Sequence, residues 1–294
     1  MSAKRTAALL IHGLGGTPFD LGSMNRILKR AGIDTHSLTL PGHGGTPEDL
    51  VDVSAEEWLH AVRARYREVM RQYDVVHVIG MCMGSLLALA LCANERHERG
   101  KLVTLAPPIF IDGWATPWYT FARHLLYWVP LVPQRMRVEE DEPFGIKNAL
   151  MRSIVKAKFE RGDNFHYRWV PLACLRQVDR LRRMAMRAVS TLRCDTLVLH
   201  AREDELTSLR SAWFLRERIE RMELVVLENS YHLICVDNDR ELVAKSVLDF
   251  LGLAADGAAA PDSEVRDLAR RHPDGMAGQR VEAVLPLCAS GVVR

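Results

Sequence analysis

The residues best suited to chemistry lie where apolar segments end. Cys82 stands at the centre of Gly-Met-Cys-Met-Gly, where a strand-like run, residues 75–80, gives way to a helical pattern. A nucleophile on a sharp strand-to-helix turn needs small residues two positions before and after it, because the strand and the helix pass close to each other there. Its side chain lies over a helix N-terminus, whose partial positive charge favours a thiolate. The pattern therefore predicts a catalytic thiol at Cys82.

A thiol nucleophile needs an imidazole to take its proton, and the imidazole needs a carboxylate to fix its tautomer. His232 follows the run LVVLEN, and the loop after TLVLHA offers Glu203, Asp204 and Glu205. We choose Asp204 because it directly precedes the next predicted helix, with the two glutamates expected to face solvent. Taken alone, Asp204 also fits an ordinary charge at a helix N-terminus. The predicted catalytic residues are Cys82, Asp204 and His232.

A tetrahedral intermediate needs backbone donors aimed at its negative oxygen. The amide of Met83, directly after the thiol, is one candidate. The loop in LLIHGLGG follows the first strand-like run, and its Leu14 amide is the second. His12 is expected to brace this loop by hydrogen bonds. His43, in the second glycine loop LPGHGGTP, is expected to be structural rather than a base.

Short β-branched runs alternate with longer segments that carry apolar residues at helical spacing. This order predicts an α/β fold, in which a mostly parallel sheet has helices on both faces. The predicted strands are residues 8–12, 34–40, 75–80, 102–105, 196–200 and 224–227, and the predicted helices are residues 19–31, 55–72, 83–94, 209–221 and 239–251.

Residues 108–190 interrupt this alternation with many aromatic residues, several prolines and helical stretches such as residues 146–159. So long an excursion needs structure of its own, which predicts an inserted helical cap. The core is then residues 1–107 and 191–253. The segment 254–294, which begins rich in Ala, Gly and Asp, is expected to be a largely disordered tail with one short helix over 263–271. Trp114, Trp118 and Trp128 are candidate substrate-binding residues, or alternatively part of the cap's own small core.

Composition excludes some classes of function. The formal charge is only +2, which argues against a nucleic-acid partner, and no apolar run is long enough for a stable membrane span. Six scattered cysteines lack metal-ligand spacing, so we expect no metal, no organic cofactor and mostly buried thiols in a cytoplasmic protein. The second half of the cap is basic. It is either a solvated face or, through Arg182 and Arg183, a site for an anionic acyl carrier such as coenzyme A or a carrier protein.

Five motifs carry a resemblance to a known family: HGLGG, LPGHGGTPED, GMCMGS, AREDELTS and NSYHLICVDNDRE, within residues 7–252. The chain resembles the α/β-hydrolase superfamily, and within it small bacterial carboxylesterases and monoacylglycerol-lipase-like enzymes. The resemblance implies a triad in the order nucleophile, acid, histidine, with the Leu14 and Met83 amides as oxyanion donors. The departure is Cys82, because these esterases carry serine there. Cysteine occurs at this position in other branches, whose reactions include both hydrolysis and acyl transfer.

Three functions follow from these residues. The leading hypothesis is hydrolysis of a carboxylic ester or thioester through an acyl group on Cys82. The first alternative is an acyltransferase, in which an alcohol or amine replaces water; product analysis with added acceptors separates the two. The second alternative is a non-catalytic ligand-binding homologue. The presence of both a candidate acid, Asp204, and a candidate base, His232, argues against it.

Overall fold

The computed structural model describes residues 4–116, 121, 123–163 and 165–253, all within one unit, Met1–Asp256. The segment 254–294, and with it the predicted tail, lies outside the described residues, as does Trp118. Six strands form the main sheet: β1 (Thr6–Ile11), β2 (Asp34–Ser37), β3 (Val75–Met81), β4 (Leu102–Leu105), β7 (Thr196–Ala201) and β8 (Met222–Leu227). Every neighbouring pair is parallel, in the order β2-β1-β3-β4-β7-β8.

Helices cover both faces of this sheet, which confirms the predicted α/β class. Their bounds are α1 (Met24–Arg30), α2 (Ala55–Gln72), α3 (Met83–Asn94), α8 (Arg210–Arg216) and α9 (Arg240–Leu251). One hydrophobic core packs α2, α3 and α8 against the sheet, and a second packs α1 and α9 against the opposite face. Helix α3 is buried on all sides, which explains its nearly uninterrupted apolar sequence. It is therefore a rigid support for the residue at its N-terminus.

Three predicted elements are shorter or split. The helix predicted over 19–31 is a 3-10 helix, Pro18–Leu21, followed by α1, because Gly22 between them adopts φ 54°. The strand predicted over 34–40 ends at Ser37, since the Leu40 N–H donates to the side chain of His12 instead of extending the ladder. The helix predicted over 209–221 ends at Arg216.

The chain between β4 and β7 contains the helices of the predicted cap. These are α4 (Arg123–Leu126), α5 (Val132–Arg135), α6 (Ala149–Arg161) and α7 (Leu172–Ala188). Strands β5 (Arg137–Glu139) and β6 (Trp169–Pro171) form a small antiparallel sheet that the sequence analysis did not predict. Helix α7 packs on α3 and α2, so the segment is joined to the core through the helix that follows Cys82. The exact division into core and cap at residues 108 and 190 stays a prediction.

A buried ion cluster links α7 to α4 within this segment. Asp179 is 4% exposed, and its carboxylate accepts hydrogen bonds from Arg123, Tyr127 and Arg182 at 2.5 to 3.2 Å. Although burial raises the pKa of Asp179, the arginines and the tyrosine hold it below its usual value. Arg182 also donates to the Ile109 carbonyl at 2.8 Å. Arg182 is therefore committed to internal contacts and not to the solvated or carrier-binding face considered from the sequence.

Candidate functional site

Cys82 lies at the turn between β3 and α3, in a conformation that side chains rarely adopt. Its φ and ψ are 53° and −122°, and its N–H donates to the Leu105 carbonyl at 2.9 Å. The flanking glycines make this turn possible: a Cβ on Gly80 would overlap the backbone of Gly84, and one on Gly84 would overlap the carbonyl of Ile11. Positive φ at a bulky residue costs free energy and is kept where the surrounding structure enforces it. The thiol is thus held at the carboxyl edge of the sheet.

Neighbouring nucleophilic side chains have structural positions. Ser85 is fully buried, and its hydroxyl lies 2.7 Å from the Gly80 carbonyl and 3.0 Å from the Leu105 carbonyl. It therefore joins α3 to the sheet and is not a substitute nucleophile. Of the cysteines in the described part of the chain, only Cys82 is partly exposed; the buried ones are Cys92, Cys174, Cys194 and Cys235.

The structure brings His232 and Asp204 together from loops that follow β8 and β7. His232 Nδ1–H donates to Asp204 Oδ2 at 2.8 Å, and both side chains are almost fully buried. The other carboxylate oxygen of Asp204 accepts the N–H groups of Leu206 and Thr207 at 2.9 and 3.0 Å. These contacts fix both the orientation of the carboxylate and the tautomer of the imidazole. From the sequence alone, Asp204 could also be an ordinary charge at a helix N-terminus. In the structure, its carboxylate in addition accepts a hydrogen bond from His232.

The electrostatics of the pair favour a charged imidazole. Burial lowers the pKa of His232, but Asp204 and Cys82 raise it well above its usual value. Burial likewise raises the pKa of Asp204, but His232 holds it below its usual range. Apart from its interaction with Cys82, the buried Nε2 of His232 has no hydrogen-bond partner among the described residues. That nitrogen can therefore exchange a proton with the thiol.

Glu205 departs from the sequence analysis, which expected it to face solvent. It is only 9% exposed, and its Oε2 accepts the backbone N–H of His232 at 3.0 Å. Burial is the main reason that the pKa of Glu205 rises to about 7; Asp204 raises it further and His232 opposes the shift. Glu203, by contrast, is 51% exposed and pairs with Lys147, as expected of a surface residue. No periodicity in the sequence distinguishes these two glutamates.

The loop after β1 packs against Cys82 and carries the Leu14 amide. Gly13 lies against Cys82, since a Cβ on Gly13 would be 3.1 Å from the Cys82 Cβ. The Gly13 N–H donates to Asp20 and the Gly15 N–H to His43, at 3.1 and 3.0 Å. Between these two anchored amides, the Leu14 N–H makes no hydrogen bond with any described residue.

The second candidate donor is the Met83 amide at the first position of α3. The first N–H groups of a helix have no partner within it, and the Met83 N–H makes no other hydrogen bond within the described segments. Two unpaired N–H groups, those of Leu14 and Met83, therefore lie on anchored backbone segments that adjoin Cys82.

His12 and His43 both brace the glycine loops. His12 bonds the Gly13 carbonyl and accepts the Leu40 N–H, at 2.8 and 3.2 Å. His43 lies 3.0 Å from the Pro41 carbonyl and accepts the Gly15 N–H. Burial lowers the pKa of His43 to about 4, so the ring is neutral near pH 7 and its Nε2 can accept that hydrogen bond. Both histidines have the structural roles expected from the sequence.

The candidate substrate-binding tryptophans have different surroundings. Trp114 donates to the Glu203 carbonyl at 3.0 Å and packs edge-on against Tyr231, the residue before His232. Trp128 is 80% exposed, with the Arg176 guanidinium over its ring. A role in substrate binding stays a prediction for all three tryptophans. In the described residues, no group of three or more His, Cys, Asp or Glu side chains is arranged to hold a metal ion, and no helix is long and apolar enough to cross a membrane.

Comparisons with known proteins agree with this architecture. Residues 8–245 match the model of the Alpha/beta hydrolase family, and the chain belongs to that family. It is 25% identical over 250 residues to a carboxylesterase of Bacillus subtilis (strain 168), covering 83% of this chain and 92% of the relative. It is 23% identical over 244 residues to a thermostable monoacylglycerol lipase of Bacillus sp. (strain H-257), covering 82% and 88%.

A similar solved structure comes from a study of LipS and LipT, two metagenome-derived lipolytic enzymes. It superposes with a TM-score of 0.72 at 22% identity and covers 85% of this chain and 94% of the solved one. At this identity the likeness shows the fold alone, which is the α/β-hydrolase fold predicted from the sequence.

Proposed function

We propose that the protein hydrolyses carboxylic esters through an acyl-enzyme on Cys82, with His232 as general acid and base and Asp204 orienting the imidazole. The observation that carries this proposal is the convergence of three features. A strained thiol, a buried histidine paired with a carboxylate, and two unpaired N–H groups lie at one edge of the sheet. The esterase and lipase relatives support ester cleavage as the reaction type.

The first half of the reaction transfers the acyl group to sulfur. The Cys82 thiolate attacks the ester carbonyl, and the carbonyl electron pair moves onto its oxygen, where the Leu14 and Met83 N–H groups stabilise it. Collapse of this intermediate breaks the C–O bond, and His232 protonates the departing alkoxide. The alcohol leaves and a thioester remains on Cys82. Because Asp204 and Cys82 raise the pKa of His232 well above its usual value, the protonated ring is favoured and can supply the proton for the leaving group.

The second half regenerates the thiolate. Neutral His232 removes a proton from water, and the hydroxide attacks the thioester carbonyl. Collapse breaks the C–S bond, releases the carboxylic acid and restores the thiolate and imidazolium. Asp204 remains ionised throughout, since its pKa is held low and its role is to fix and stabilise the imidazolium.

Cysteine in place of serine bears on the second half of the reaction. A thioester is more reactive than an oxyester toward amines, thiols and alcohols, so an acceptor other than water can take the acyl group. Acyl transfer is therefore the second candidate function, carried by the thiol at Cys82. Thioester donors, free or attached to coenzyme A or a carrier protein, belong to the same chemistry and stay a prediction, as does a cytoplasmic location.

Steady-state hydrolysis of p-nitrophenyl esters of increasing chain length tests the proposal. The wild type is expected to turn over, and Cys82→Ala is expected to lose at least about 1,000-fold in kcat. Cys174→Ala, at a buried cysteine of α7, is the matched control and should retain turnover. Added methanol separates the two candidate functions, because a transferase diverts most of the product to the alcohol. Unchanged turnover in Cys82→Ala would refute the mechanism.

A further inference from the structure

The segment 165–167 of the predicted cap is bound directly to the loop that carries the candidate oxyanion donor. Tyr167 N–H donates to the Gly15 carbonyl at 2.7 Å, and the Thr17 hydroxyl donates to the Phe165 carbonyl at 2.9 Å. Gly15 has φ 67°, and a Cβ there would be 3.4 Å from the side chains of both His166 and Tyr167. The loop and the segment therefore pack without space between them.

The side chain of Tyr167 extends the same connection to the second glycine loop. Its hydroxyl donates to the Gly42 carbonyl at 2.9 Å and accepts the Gly45 N–H at 3.1 Å. Its ring stacks on His43 with an interplanar angle of 10°, and His43 in turn holds the Gly15 N–H. One residue of the cap segment thus contacts both glycine loops.

Asp20 connects His166 to the amide of Gly13. The carboxylate is 2% exposed; its Oδ2 accepts the Gly13 N–H at 3.1 Å, and its Oδ1 lies 3.5 Å from His166 Nδ1. His166 Nε2 lies 3.8 Å from Glu140 on the other side of the ring. Burial lowers the pKa of His166, but Asp20 and Glu140 raise it to about 10, so the ring is a cation near pH 7. A buried carboxylate without that cation would lack the charge that compensates its desolvation.

We propose that His166 is a positioning residue for the oxyanion hole: through Asp20 it fixes Gly13 and so aims the neighbouring Leu14 N–H at the ester carbonyl oxygen. The inference rests on the proposed function, since it assigns a residue to the same site. It also assigns the 165–167 segment a role besides substrate binding. Gly13 abuts the Cβ of Cys82, so a shift of this loop changes the donor's position relative to the nucleophile.

The test separates oxyanion stabilisation from the reactivity of the thiol. Ester hydrolysis develops a negative oxygen, whereas alkylation of Cys82 by iodoacetamide displaces iodide from a methylene carbon and develops none. We expect His166→Phe, which keeps a ring but has no N–H, to lower kcat about 10- to 100-fold, part of the loss known for removing a donor outright. KM and the alkylation rate should stay close to wild type. His166→Gln, whose amide N–H can donate to Asp20 but which carries no charge, should recover part of the lost kcat.

His124→Phe is the matched control, because His124 is also a cap histidine, 3.8 Å from the buried Asp179. It should leave kcat unchanged. If His166→Phe fails to fold, the double variant with Asp20→Asn leaves no buried charge unpaired and carries the same test. A wild-type kcat in these variants, or equal losses of kcat and alkylation rate, would overturn the inference. Absence of turnover in the wild type would instead contradict the proposed function.

Discussion

The pH dependence of stability should depend on Glu205, because this carboxyl is buried beside the histidine. Its pKa rises from 4.5 to about 7, chiefly through burial. A raised pKa means that the folded state binds the proton more tightly, so its contribution to stability is fully present below pH 4.5 and is lost as the pH rises through 7. The full difference corresponds to about 3 kcal/mol of unfolding free energy.

Glu205→Gln removes this titration and keeps an oxygen that can accept the His232 N–H. Relative to wild type, we expect the free energy of unfolding of the variant to increase by about 2 to 3 kcal/mol between pH 5 and pH 9. Urea unfolding of both proteins at each pH, followed by tryptophan fluorescence, measures the difference. Other titrating groups are common to both proteins and cancel from it.

Glu203→Gln is the matched control, because Glu203 is the exposed neighbour in the same loop. Its difference from wild type should be nearly independent of pH. If the difference in unfolding free energy between Glu205→Gln and wild type stays constant from pH 5 to pH 9, or decreases as the pH rises, burial does not raise the pKa of Glu205.

Three further predictions concern the turn, the acid and the cap. Gly84→Ala should destabilise the protein by more than about 2 kcal/mol, since its Cβ would overlap backbone, whereas Gly32→Ala, with open space and only a positive φ, should cost about 1 kcal/mol; equal urea midpoints would contradict this. Asp204→Asn should lower kcat about 100- to 10,000-fold in a folded protein, because His232 loses the partner that fixes its tautomer; an unchanged kcat in ester hydrolysis would contradict that role. Asp179→Asn should lower the free energy of unfolding by about 3 kcal/mol, since it removes the buried negative charge that pairs with Arg182 and accepts the Tyr127 hydroxyl; a loss typical of an exposed pair, below about 1 kcal/mol, would contradict this.

Local sequence was sufficient for the sheet and for the neighbourhood of the thiol. Parallel strands buried on both faces have continuous apolar runs, and such runs identify five of the six strands of the main sheet. The edge strand β2, Asp34–Ser37, has no apolar residue and falls at the start of the longer strand predicted over 34–40. Loops that follow parallel strands meet at one edge, which is why Asp204 and His232, 28 residues apart, are in contact. The two glycines around Cys82 predict that backbone segments pass close together there, and in the structure a Cβ on Gly80 would overlap the backbone of Gly84.

The remaining features depend on contacts between segments that are distant in the chain. Glu205 is buried by loops packed over it, and His166 meets Asp20 across 146 positions of sequence. The antiparallel pair β5 and β6 has only three residues in each strand, too few for a periodic signal. Arg182 belongs to a basic stretch but is drawn inward by Asp179, which charge counting does not reveal. In each case tertiary packing selects among residues of the same type.

If Cys82 carries the acyl group, the intact mass of the protein increases by that group during turnover. Wild type and Cys82→Ala are mixed briefly with p-nitrophenyl esters and acyl-coenzyme A donors, quenched in acid and weighed by mass spectrometry. We expect one acyl adduct on the wild type that is absent from Cys82→Ala, decays in buffer and decays faster when an amine is added. The same adduct on both proteins would show that another residue carries the acyl group. Ester hydrolysis by the wild type without any adduct that hydroxylamine releases would also exclude a thioester on Cys82.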